Sequence, residues 1–215
     1  MMKRYLISAI AAACVALLFG SAYFAKINGI HGLDRAHFSF LQCILPLAGM
    51  LCGVFGSVAL FFASLGLKSL GMIHLTYFGL PTFCASLCWT SYNRAVKIGI
   101  SLVCMVLFIA HPIGLYAAPY ALYWLIPIAC AFAGKNRFLT ALSSTFVAHA
   151  VGSVMHLYMV NAMSSAAWLA LIPIVAIERL VLALGMYVAF GCVSRLIYLG
   201  SVALRDNLQQ RPAID

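Results

Sequence analysis

Long apolar blocks alternate with short polar joints along the chain. As helices at 1.5 Å per residue, the blocks have the lengths of bilayer crossings. They run over residues 5–25, 38–65, 98–111, 118–133, 138–160 and 173–204. The blocks 98–111 and 118–133 are short and predict a hairpin of tilted helices, joined through His111-Pro112-Ile113-Gly114 and Pro119. Pro173 is placed to open the last helix, where a missing N–H costs nothing. A polar tail follows over 205–215 and is expected to fray. The remaining stretch, 69–92, is interrupted by Gly79-Leu80-Pro81. Proline removes a donor and crowds the preceding turn, so this segment predicts a kinked span or a re-entrant pair of half-helices.

Within the blocks, small residues recur at a spacing of four, which keeps them on one helix face and permits close helix approach. Ser8, Ala12, Ala16 and Gly20 form one such ridge and Gly49, Gly53 and Ser57 another. The basic Lys3 and Arg4 before the first block also suit a signal peptide. A cleaved peptide has no use for a small-residue ridge, so the block is read as a retained first helix.

Composition narrows the class. Of 215 residues, 65% are hydrophobic and 8% charged, with thirteen Lys and Arg against four Asp and Glu. A water-soluble surface normally needs about 25% charged residues, so a soluble enzyme, a disordered chain and a nucleic-acid binder are excluded. The expected fold is an all-α, polytopic transmembrane helix bundle. It forms a single membrane domain of about six spans plus the broken segment at 69–92.

The net charge of +9 lies mostly in loops and at block ends, as cytoplasmic loops require. Six spans with both termini inside leave Lys26, Arg35 and Arg179 outside. Seven spans with the N-terminus outside strand Lys3, Arg4, Lys68 and Arg179. The first helix usually dominates orientation, which favours six; both layouts put the C-terminus in the cytoplasm. The expected location is a cell membrane, a bacterial cytoplasmic membrane.

Candidate chemistry is sparse. The eight cysteines lie in apolar stretches without a CxxC pair, so no zinc or dithiol motif is written. HExxH, GxSxG and paired carboxylates are missing too, and the chain is not expected to be an enzyme or to hold a metal or cofactor. Glu178 is the one acid inside an apolar block. An ionisable group at membrane depth is a functional candidate, against the alternative of an interfacial contact. Glu178 and Arg179 point about 100° apart on a helix and are poorly set to pair with each other. His149 and His156 share a face but sit about 10.5 Å apart along it, so they cannot bind one haem iron from both sides. They either hydrogen-bond across helix contacts or line a cavity. Tyr116, Tyr120, Tyr123 and Trp124 make an interfacial belt or a stacking wall, with Trp89 and Tyr92 as further aromatics.

Six helices, this length and an Ala9/Ala13 pair in the first helix resemble the substrate-binding components of energy-coupling-factor vitamin transporters. That resemblance implies docking on a transmembrane coupling subunit and an ATPase through Ser8, Ala9, Ala12, Ala13, Ala16 and Gly20, with Gly49 and Gly53 as further packing positions. The leading expectation is binding and uptake of a small solute, aromatic ones included, with contacts from His74, Tyr77, Tyr120, Trp124, His149, His156 and Glu178. The alternative is a non-transporting scaffold of a larger membrane complex, and behind it a haem- or quinone-associated protein.

Overall fold

The computed structural model describes residues 26–28, 37–39, 41–69, 76–90, 94–134, 136–160 and 163–209. The ridge at Ser8, Ala9, Ala12, Ala13, Ala16 and Gly20, the first block and His74 lie outside the described residues. So do the side chain of Tyr77 and the end of the tail.

The described chain is helical apart from a three-residue antiparallel pair. In it β1 (Lys26–Asn28) faces β2 (His37–Ser39), with Ile27 opposite Phe38. The helices are α1 (Leu41–Ile44), α2 (Ala48–Ser69), α3 (Thr76–Thr90), α4 (Arg94–Ala110), α5 (Pro112–Tyr116), α6 (Ala118–Ala121), α7 (Leu125–Phe132), α8 (Arg137–Met159), α9 (Ser165–Ala170) and α10 (Ile172–Gln209). Contacts gather in two compact units, Gln42–Tyr187 and a second made of Met1–Leu41 with Val188–Asp215. The core and the candidate site lie in the first of these.

Two described helices are long and apolar enough to cross a membrane, Arg137–Met159 and Ile172–Val202. Among the described residues, the other expected crossings are shorter or interrupted. The block 38–65 is not one helix. It opens as β2, passes through α1 and a 3₁₀ turn at Leu45–Leu47, and bends inside α2 at Gly53. Gly53 has φ +62°, a conformation that costs a residue with a β-carbon about 1–2 kcal/mol.

The second small-residue ridge therefore splits in role. Gly49 packs α2 on α3, where a β-carbon would run into the carbonyl of Ser86 and lie 2.9 Å from Thr90 Cγ2. Gly53 supplies the bend, and nothing lies within 4 Å of its α-carbon's open side. Ser57 is buried, its hydroxyl donating to Gly53 O at 3.4 Å.

The break expected at Gly79-Leu80-Pro81 does not divide α3, which runs through Pro81. A proline there forfeits one bond, to the carbonyl four residues back. Its ring is buried, and Cγ would sit 3.9 Å from a β-carbon at Gly152 of α8. The Gly-Leu-Pro motif thus makes a helix contact.

The hairpin of short helices is present, as α4 turning back through α5 into α6 and α7, with a 3₁₀ turn at Leu122–Trp124. Lys97, one turn into α4, is buried and not a loop cation. Asn136 caps α8 by accepting from Phe138 and Leu139 N–H at 2.8 and 3.3 Å; such caps meet donors the helix leaves open. Pro173 lies in the first turn of α10, as expected. The tail does not fray at 205, since α10 continues to Gln209.

Helix α8 is central, packing on α3, α4 and α7. It buries Thr140, Ser143, Ser144 and Thr145. Each hydroxyl needs a partner away from water, and Ser144 finds one on the next helix, donating to Ala85 O at 2.8 Å. The outer surface is apolar. On α10, Ile177, Val181, Leu184 and Val188 are about half exposed or more, and so are Val103 and Val106 on α4.

Candidate functional site

The sharp turn after α4 builds the site. His111 accepts from Ile113 N–H at 3.3 Å and so caps α5. Gly114 then passes so close to the carbonyl of Phe108 that no side chain fits. This close return lays α6 across α4 and places Tyr120 over Phe108, with ring centroids 5.6 Å apart and nearly parallel. Trp124 meets Phe108 edge-on at 5.2 Å. From α9, held by Ser164 accepting from Ala167 N–H, Trp168 meets Phe108 at 5.3 Å and Tyr120 at 4.9 Å. Edge-to-face contact sets the positive rim of one ring on the negative face of another.

Polar groups enter this aromatic core from α8. Tyr120 Oη lies 2.7 Å from His149 Nε2 and 3.5 Å from Ser153 Oγ. His156, two turns along the same face, approaches Trp168 at 6.0 Å between ring centroids. Tyr123 donates to Ile172 O at 2.6 Å, which fixes the start of α10 against the hairpin.

On α10, Glu178 and Arg179 pair with each other after all, Arg179 Nη2 to Glu178 Oε2 at 3.1 Å. Their long side chains reach across the angle between neighbouring positions, and a buried guanidinium needs a carboxylate beside it. Thr145 ties α8 to the same place, its hydroxyl 3.5 Å from Arg179 O. Arg179 stands within electrostatic reach of both Tyr120 and His149.

Of the contacts expected from sequence, Tyr120, Trp124, His149 and His156 thus come together, and Glu178 lies at the margin of the group. The aromatic run divides: Tyr116 is 78% exposed, whereas Tyr120 and Trp124 are at 1% and 0%. Trp89 stands apart, donating to Met186 Sδ at 3.2 Å. Phe108 and Trp168 escaped the sequence reading. Phe108 sits in an unbroken apolar run, and Trp168 lies beyond a loop at no helical spacing from the others.

Several buried polar atoms have no hydrogen-bond partner among the described residues: Trp124 Nε1, Trp168 Nε1, His156 Nε2 and Glu178 Oε1 near this site, and Ser101 and Ser143 elsewhere. Among the described residues no three of His, Cys, Asp and Glu are placed to share a metal ion. A separate groove of about 590 Å³ runs between α3 and α4 over α8, lined by Leu80, Cys84, Gly99, Val103, Leu107 and Val151 among others. Its lining is apolar and contains none of the expected contact residues. Compared with protein-family models, characterised proteins and solved structures, the chain matches none.

Proposed function

We propose that this chain is a multi-pass membrane protein of about six crossings that binds a small solute and takes it up. It would serve as the substrate-binding subunit of a multi-subunit transporter, in a bacterial cytoplasmic membrane with its C-terminus inside. The carrying observation is the polar cluster around Tyr120 and His149, sealed inside an aromatic core of an otherwise apolar bundle. Polar groups are expensive at that depth and persist where they serve a contact. The two apolar helices and the exposed aliphatic surface of α4 and α10 support the membrane setting. With so few charges, energy for uptake would come from a partner, a coupling subunit with an ATPase.

The test is affinity capture of the tagged full chain from its native membrane in mild detergent, with mass spectrometry of what accompanies it. A second transmembrane subunit, an ATPase and a bound small molecule are expected. Replacing Ala12 and Ala16 with Leu should abolish uptake and spare solute binding. Recovery of the chain alone, or loss of both properties together, would sink the coupled mechanism.

A second reading, a scaffold of a larger membrane complex, draws on the apolar groove of α3, α4 and α8. It predicts that His149, His156 and Glu178 tolerate substitution.

A further inference from the structure

Trp124 and Trp168 are 0% and 3% exposed, and neither indole N–H meets an acceptor among the described residues. Indole nitrogen only donates, so whatever satisfies it must bring a lone pair. Both rings stand edge-on to the same two neighbours, Phe108 at 5.2 and 5.3 Å and Tyr120 at 6.4 and 4.9 Å. Tyr120 Oη, engaged with His149 and Ser153, makes no hydrogen bond to either indole. A third nitrogen, His156 Nε2, is unpartnered beside Trp168. Two buried donors thus border the same two rings without an acceptor, and a native core rarely leaves such groups unmet.

We infer that Trp124 and Trp168 are the recognition donors of a binding site for a small ligand carrying oxygen lone pairs, as a carbonyl or carboxylate does. The inference deepens the solute reading and rests on it for the ligand's source; a bound water offers the same oxygen chemistry.

The experiment is nuclear magnetic resonance of the full chain in nanodiscs with indole-¹⁵N tryptophan. The chain has three tryptophans, and Trp89, bonded to sulfur, is the internal reference. Trp124 and Trp168 protons should lie downfield, at the position of oxygen-bonded indoles. Cross-peaks to water identify water as the acceptor. A saturable shift of both signals on adding benzoate, with Trp89 unmoved, identifies a ligand oxygen. The benzoate shift supports the site, and W168F should weaken benzoate binding about tenfold, the effect of one lost hydrogen bond to a charged acceptor; water cross-peaks that benzoate leaves unmoved would overturn it. Two indole protons at the free N–H position, with and without benzoate, would overturn it. The wild-type spectrum carries that decision even if W124F or W168F fails to fold. Unmoved indole signals with a solute still captured alongside the protein would remove this site and keep the solute reading, so the two fail separately.

Discussion

The two long apolar helices solve opposite problems. In α8, 56% of the most apolar window is buried, against 17% in α10. The buried helix is the more polar one, carrying Thr140, Ser143, Ser144, Thr145, His149, Ser153 and His156. The exposed helix presents Ile177, Val181, Leu184 and Val188 outward and keeps the ion pair of Glu178 with Arg179 toward the bundle near Thr145. In water this distribution would be inside out. On the proposed membrane reading it is expected, because lipid gives no hydrophobic drive between helices and small or hydroxylated faces are what pack and hydrogen-bond. Polar composition therefore marks the interior of this chain, and aliphatic composition marks its outside.

Substitutions can break that contrast, beginning with the core. Trp168→Ala would remove a ring that touches Phe108, Tyr120 and His156, and should cost about 4 kcal/mol as a large-to-small core change, read by denaturant titration in detergent. An unchanged midpoint would mean that α9 does not seal the core. Next comes Glu178→Gln, which takes the carboxylate from beside the buried Arg179 and should cost about 3 kcal/mol. The double change Glu178→Leu with Arg179→Leu should recover most of that loss, and a thermal melt of both variants tests whether pairing or charge itself matters.

Smaller effects sharpen the same comparison. Tyr120→Phe keeps the ring and deletes the hydroxyl between His149 and Ser153, at an expected cost of about 1–2 kcal/mol. Equilibrium unfolding should resolve it, and a matching fall in solute binding would connect the site to function. Gly53→Ala places a β-carbon at a positive-φ position that glycine almost alone adopts and should cost about 1–2 kcal/mol, with helix content by circular dichroism nearly unchanged. Smallest of all, Val181→Ala or Leu184→Ala on the exposed face of α10 should stay within about 0.5 kcal/mol. A loss as large as that at Trp168 would show that a partner covers this face.

Much of this architecture was legible as pattern. The extent of α8, Arg137–Met159, follows the apolar block 138–160, and the hairpin of α4 with α6 and α7 follows from block length and the His111-Pro112 joint. His149 and His156 were correctly set on one face by their spacing of seven. Other signals misled for identifiable reasons. Gly79-Leu80-Pro81 resembles a break, because sequence cannot show that the Pro81 ring packs beside Gly152 of another helix. Gly49 and Gly53 look equivalent at a spacing of four, yet one is a contact and the other a bend.

By itself, then, the sequence determined the helical class, the rough positions of the apolar blocks, and which few polar residues lie among them. These depend on local hydrophobicity and on the fixed rise of a helix. Only the tertiary structure decided that Tyr120 and Trp124 turn inward while Tyr116 turns out, that Trp168 joins them from 44 positions beyond Trp124, and that Glu178 pairs with Arg179. Those outcomes depend on how close two helices come, which is set by the backbone approach at Gly114 and the packing around Phe108. Such distances between remote segments leave no periodic trace along the chain.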